Sequence, residues 1–309
     1  MNIVVTGGAG FIGSHLCEWL LDEGNRVVCV DNLVTGRKEN VKLFLKNPNF
    51  TFIEHDVSKS FRINGPVDQI YHMSSPASPV DYQKLPIETM MVNSLGTKNM
   101  LDMANEKRAK ILLASTSEVY GDPEKHPQTE DYWGHVNPVG PRSCYDESKR
   151  FAEALAMAYI KAYYVDVKIA RIFNSYGPLM RSNDGRVIPN FAMQALRNED
   201  ITVYGDGSQT RSFCYISDMV DGLIRLMGSG KSGEIINLGN PDERKVIDVA
   251  KTIKEMTKSG SKITFLPLPK DDPARRKPDI SRAKEKLGWE PKIAFEKGLQ
   301  KTIEWFRKL

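Results

Sequence analysis

Tyr145 and Lys149, four residues apart in Tyr145-Asp146-Glu147-Ser148-Lys149, are a pair suited to moving a proton. On a helix that spacing puts both side chains on one face. The ammonium then stabilises a phenolate, drawing a group with a reference pKa of about 10 toward neutral pH. Such a tyrosine acts as general base toward a hydroxyl whose carbon is losing a hydride. A short apolar run, Ile111 to Ala114, ends just upstream in Ser115-Thr116-Ser117-Glu118, which brings hydroxyls and a carboxylate to the same neighbourhood. Tyr-x-x-x-Lys alone is common by chance. Its order after a hydride-acceptor site gives it meaning.

That acceptor site is legible at the N-terminus. Strand-like Ile3-Val4-Val5 runs into Thr6-Gly7-Gly8-Ala9-Gly10-Phe11-Ile12-Gly13 and then a helical pattern at His15, Leu16, Trp19 and Leu20. Gly7, Gly10 and Gly13 keep the turn tight and let backbone N–H groups at the helix start, around Phe11 and Ile12, meet a pyrophosphate. A second strand pattern, Val27 to Val30, ends in Asp31 beside Asn32. A carboxylate there accepts hydrogen bonds from a ribose and repels a 2′-phosphate, so NAD is expected in preference to NADP. Asp56-Val57, after a third strand pattern, is a weaker candidate for the adenine edge.

These residues must be held by a scaffold, and the rhythm of the chain supplies one. Val27 to Val30, Phe52 to Glu54, Gln69 to Tyr71, Ile111 to Ala114 and Val167 to Ala170 follow Ile3 to Val5 as short strands between longer helical patterns. The fold class this predicts is α/β: a doubly wound parallel Rossmann sheet with a smaller, interleaved C-terminal α/β substrate lobe. We expect an NAD-binding domain over 1–173 with a return at about 210–238, where Glu234 to Asn237 reads as a strand, and a mainly substrate-binding lobe over 174–309. Helices are expected over Ile87 to Glu106 and Asp146 to Tyr163, with outward faces able to pair with a second subunit.

Composition narrows the partners. The 309 residues hold 43 basic and 39 acidic side chains, net +4, too balanced and scattered to indicate nucleic acid or a membrane surface. Cys17, Cys29, Cys144 and Cys214 show neither disulfide nor zinc-like spacing, so no metal is expected. With no apolar run of membrane-spanning length and no signal-peptide layout, a cytoplasmic protein is expected.

Several longer segments carry a resemblance: Ser75-Pro76-Ala77-Ser78-Pro79, the stretch from Ser115 to Pro127, Tyr132 to Pro138, Cys144 to Glu147, and Asp271-Asp272-Pro273 through Arg276-Lys277-Pro278-Asp279. Together they resemble the extended short-chain dehydrogenases and, within them, the UDP-glucuronate decarboxylases, over nearly the whole chain. Met73-Ser74 departs from the Leu-Ala expected there. The resemblance implies an enzyme that oxidises C4 of UDP-glucuronate with NAD, loses carbon dioxide through a 4-keto intermediate, and returns the hydride to give UDP-xylose. It implies Tyr145 as base and acid at O4, Lys149 as its partner and a ribose ligand, and Thr116 as a donor near O4. Glu118 would handle a proton or water at C5 or hold the sugar ring. On the substrate side it implies Asn174 and Arg211 at the diphosphate, Val187 beside uracil and Tyr204 near the nucleoside. Arg186, Gln209 and Arg276 complete that set, with Arg275 able to exchange roles with Arg276. A homodimer is implied as well.

Two related chemistries share this scaffold: nucleotide-sugar 4-epimerisation and 4,6-dehydration. The dehydratases carry Asp at the position of Ser117, and serine cannot serve as that general acid at neutral pH. The epimerases lack the following glutamate. A non-catalytic NAD(H)-binding regulator would be expected to lose the intact tyrosine–lysine pair.

Overall fold

The computed structural model describes residues 1–269, 271 and 273–309; Asp272, within one of the matching segments, lies outside the described residues. The chain opens with β1 (Asn2–Thr6), α1 (Phe11–Asp22), β2 (Arg26–Asp31), β3 (Phe50–Glu54) and β4 (Gln69–His72). Two short helices, α2 (Pro79–Lys84) and α3 (Pro86–Met91), lead through a π-helical turn at Val92–Gly96 into α4 (Thr97–Lys107). Then come β5 (Lys110–Thr116), a 3-10 turn at Ser117–Tyr120, α5 (Ser143–Tyr163) and β6 (Val167–Ile172).

β7 (Ser175–Tyr176), α6 (Val187–Leu196), β8 (Ile201–Tyr204), β9 (Thr210–Ser212) and β10 (Cys214–Tyr215) precede α7 (Ile216–Ser229) and β11 (Ile235–Leu238). The chain finishes with β12 (Glu243–Lys245), α8 (Val246–Thr257), β13 (Ile263–Leu266), α9 (Ser281–Leu287) and α10 (Phe295–Phe306).

One seven-stranded sheet, ordered β11-β6-β5-β4-β1-β2-β3, has parallel pairing throughout. All six early strand patterns lie in it, and the Glu234 to Asn237 run enters as β11 beside β6. Burial on both faces explains why these strands are apolar without alternation. Ile3 and Val5 belong to the core under α1 and α7, whereas Val4 belongs to the core under α4 and α5. Of the expected return at 210–238, only α7 and β11 join this layer. β9 pairs with β12 and β10 with β7, in small sheets of their own.

The helix expected over Ile87 to Glu106 is interrupted. At the π-helical turn Gly96 faces Val57, and a Cβ there would lie 3.2 Å from the valine side chain. The bulge thus accommodates close approach to the loop after β3. The strand order reverses between β1 and β4, and the C-terminal ends of β1, β2, β5 and β6 open onto a shared crevice, the usual place for a ligand in an open parallel sheet.

Candidate functional site

A cavity of about 740 Å³ occupies that crevice. Gly7, Gly10, Phe11, Ile12, Gly13, Asp31, Asn32, Asp56 and Val57, expected at the cofactor, line it, and so do Asn174, Arg186, Val187, Tyr204, Gln209, Arg211 and Arg276, expected at the substrate. Thr116, Ser117, Glu118, Tyr145 and Lys149 lie on its wall as well.

The N-terminal end fits a dinucleotide pyrophosphate. Gly7 has φ +68°, and a Cβ on it would come 2.8 Å from the Ser74 backbone nitrogen. A Cβ on Gly13 would lie 2.2 Å from the Gly7 carbonyl oxygen, so α1 can seat on the turn only through glycine. α1 begins at Gly10 without a side-chain cap, which leaves its first amides and its positive dipole end to an anion. Asp31 accepts from the Ala9 amide at 3.0 Å and the Leu33 amide at 2.8 Å, and so ties the turn to the end of β2. Burial pushes its carboxyl above the ordinary range despite those bonds. Gly36 faces both carboxylate oxygens, and a Cβ there would sit 2.7 Å from each.

The Tyr145–Lys149 pair is carried by the first turns of α5, packed on the end of β5. Lys149 Nζ donates to the Ala114 carbonyl at 2.8 Å and lies 5.8 Å from the Tyr145 ring centroid. Burial lowers the Lys149 pKa to about 7, opposed by the charge of Glu153. The Tyr145 phenol is pushed upward, first by burial, while a hydrogen bond shared with the Thr116 hydroxyl favours ionisation.

Glu118 is not a free base. Its carboxylate is gripped by Arg142 and by both terminal nitrogens of Arg276, one of them at 2.9 Å. Burial opposes ionisation, yet Arg142 and Arg276 outweigh it and hold the carboxyl at about 2. Arg276 is buried while Arg275 is exposed and does not line the cavity, which separates the two candidate arginines. The resemblance places Arg276 among the substrate ligands; in the folded chain its guanidinium is already bonded to Glu118.

Arg171 lies three residues before Asn174, which the resemblance places at the diphosphate. Arg171 itself does not line the cavity, and its guanidinium is bonded to Glu153 at 2.7 and 2.9 Å. Three site residues escaped the sequence reading. Arg142, three positions before Tyr145 and hence on its helical side, was findable from spacing. Tyr82, on α2, stacks on Tyr145 with centroids 5.0 Å and planes 3° apart, and its buried hydroxyl has no hydrogen-bond partner among the described residues; nothing in its local sequence announced this. Asp146 is buried beside Arg142, and burial, reinforced by Glu118, raises its carboxyl to about 7.

A glycine-turn dinucleotide cradle that opens onto a Tyr–Lys pair and an arginine-lined pocket is the arrangement of an extended short-chain dehydrogenase. The chain belongs to the GDP-mannose 4,6 dehydratase family, which it matches over residues 4–302. UDP-glucuronic acid decarboxylase 1 of Xenopus tropicalis is 56% identical over 307 residues, spanning 99% of this chain and 72% of that protein. Among solved structures, UDP-glucose 4-epimerase of Thermotoga maritima with UDP-glucose superposes with a TM-score of 0.90 at 31% identity, covering 100% of this chain and 99% of that one. A mutant UDP-glucuronic acid 4-epimerase of Bacillus cereus, in complex with NAD and a fluorinated UDP-glucuronic acid, gives 0.90 at 28% identity with 100% and 99% coverage.

Proposed function

We propose that this chain converts UDP-glucuronate to UDP-xylose and carbon dioxide with NAD, restoring the cofactor in each turnover. The observation that carries this reading is the convergence of Arg142 and Arg276 on one carboxylate position, at Glu118, in the same cavity wall as the Tyr145–Thr116 pair. A uronate presents a C5 carboxylate next to its C4 hydroxyl, so guanidinium charge held beside a C4 base suits it, with both arginines staying bonded to Glu118. The similarity to UDP-glucuronic acid decarboxylases over 99% of the chain supports the same reading.

NAD held by the Gly7–Gly13 turn and Asp31 would supply a two-electron acceptor for the C4 hydride and, once reduced, its donor. Tyr145 takes the O4 proton as C4 is oxidised, and the Lys149 ammonium, close to its ring, lowers the cost of the phenolate. The resulting ketone is β to the carboxylate, so the C5–C6 bond can break with its electron pair delocalised onto O4. Tyr145 and Thr116 hold that oxygen. Glu118 stays anionic between its arginines and faces the departing carboxylate with like charge, which favours its loss as neutral carbon dioxide. C5 then takes a proton from water, and Tyr145 returns its proton to O4 as C4 is reduced. At the nucleotide end, Asn174 and Arg211 would hold the diphosphate, Val187 the uracil and Tyr204 the nucleoside, with Arg186 and Gln209 shaping the wall between.

We also propose a homodimer through α3, the π-helical turn, α4 and α5, whose exposed surfaces include Ile87, Met90, Leu95, Phe151 and Met157. Among the described residues no helix is long and apolar enough to cross a membrane.

The deciding experiment is mass spectrometry of products after incubation with UDP-glucuronate and NAD. UDP-xylose with no net NAD consumption is expected. A product that keeps its carboxylate, whether 4-epimer or dehydrated sugar, would overturn the decarboxylase reading and leave the dehydrogenase scaffold standing.

A further inference from the structure

α5 carries Tyr145, Lys149 and Glu153 at four-residue intervals along one side, and the end of β5 runs beside them. Thr116 bonds to Tyr145, the Ala114 carbonyl accepts from Lys149, and the Ser115 hydroxyl donates to Glu153 at 2.5 Å. Glu153 takes no part in the mechanism above, yet it is buried and satisfied from two sides. Arg171 on β6 grips it with Nε at 2.9 Å and Nη2 at 2.7 Å.

The same guanidinium continues to Tyr120, donating to its hydroxyl at 2.9 Å and lying 4.9 Å over its ring. Tyr120 closes the 3-10 turn that displays Ser117 and Glu118. The ion pair therefore holds the residue before Thr116 and the residue that ends the turn after Glu118. A buried ion pair is weak evidence for stability, since apolar residues of similar volume often serve as well. What an apolar pair cannot supply is directional bonds to Ser115 and Tyr120, together with a fixed anion one helical turn from Lys149.

We propose that Glu153, fixed by Arg171, is a positioning residue for catalysis: it orients the Thr116–Glu118 segment through Ser115 and Tyr120 and keeps Lys149 charged beside Tyr145. This rests on the roles given to Tyr145 and Lys149 above. The charged and titratable groups around Lys149 are Tyr145 and Glu153 on its own helix and His72 on β4, whose imidazole is held at about 3 by burial and by Lys149, and so is neutral. Tyr145 is faced in addition by Glu118, Asp146 and Arg186. Of the groups around Lys149, only Glu153 acts to raise its pKa.

The test compares the full-length enzyme with Glu153→Gln and with the double variant Glu153→Gln/Arg171→Gln, in which two amides replace the ion pair without leaving a lone charge. Measured quantities are kcat, KM for UDP-glucuronate, thermal stability, and the pH dependence of C4 oxidation, read as reduced nicotinamide formed in a single turnover. With the anion gone, Lys149 is less charged and the Tyr145 phenolate less stabilised, so the acid limb should move up by about one pH unit in both variants. In both, kcat should fall by about tenfold to a hundredfold while KM stays within about threefold. The double variant, with its amides paired, should be closer to wild type in stability and still show the shifted limb. An unmoved limb in the double variant, or recovery of wild-type kcat by it, would reduce the pair to a structural strut and sink the proposal. Because the shift is read on oxidation alone, an unexpected wild-type product would defeat the decarboxylase reading without deciding this one.

Discussion

Replacing Arg276 with alanine strikes the point where substrate recognition and internal charge balance meet. The side chain is buried and gives Glu118 bonds from both terminal nitrogens. A hydrogen bond to a charged group contributes about 1.5–3 kcal/mol net, and removal also leaves a buried anion less compensated. Arg142 remains on the same carboxylate, so the stability loss should stay near 2 kcal/mol, below the ~3–5 kcal/mol expected when a buried pair is broken outright. If the substrate carboxylate also draws on Arg276, kcat/KM for UDP-glucuronate should fall by about tenfold to 150-fold, the equivalent of ~1.5–3 kcal/mol.

The pH dependence of stability gives an independent check. Glu118 is depressed from 4.5 to about 2, so it contributes stability that is complete above pH 4.5 and is lost as pH falls toward 2. Without Arg276 its pKa rises, and the change in stability across that window should become shallower. Steady-state kinetics with UDP-glucuronate, binding of UDP-glucose as a substrate analogue without a carboxylate, and acid titration of unfolding together read these effects. UDP-glucose binding should be nearly unchanged. A kcat/KM within about threefold of wild type would refute the assignment of Arg276 to the carboxylate, whatever the stability change.

Tyr145→Phe should leave NAD affinity nearly intact while turnover drops by at least ~10²-fold, the usual worth of a general acid–base group; turnover within about tenfold of wild type would move that role elsewhere. Asp31→Ala should weaken NAD and narrow discrimination against NADP, as measured by titration of both, since it removes the ribose acceptor and the charge that repels a 2′-phosphate. Sedimentation at micromolar concentration should give twice the chain mass of 34.8 kDa, and a monomer would remove the proposed interface.

Local signals were enough for much of this. The strand runs are apolar on both faces, so their place in a covered parallel sheet could be read from composition alone. Gly7 and Gly13 announced a turn that only glycine can make, and the structure shows why, in the 2.8 and 2.2 Å approaches that a Cβ would cause. Four-residue spacing put Tyr145 and Lys149 together because a helix imposes that geometry wherever it forms.

What the chain order could not convey is which charges satisfy one another. Arg276 and Arg142 reach Glu118 from distant segments, and Arg171 lies just before Ile172 and Phe173 of the cavity wall but takes Glu153 instead. Tyr82 comes to lie flat on Tyr145 from another part of the fold. Such pairings depend on how helices pack on strand ends, a long-range outcome that no window of sequence encodes. The sheet, the glycine turn and the meeting of Tyr145 with Lys149 were legible in the chain, because each follows from local geometry. Only the tertiary structure decided that Glu118 is locked between arginines rather than free, because burial makes each of those charges depend on partners brought from elsewhere in the chain.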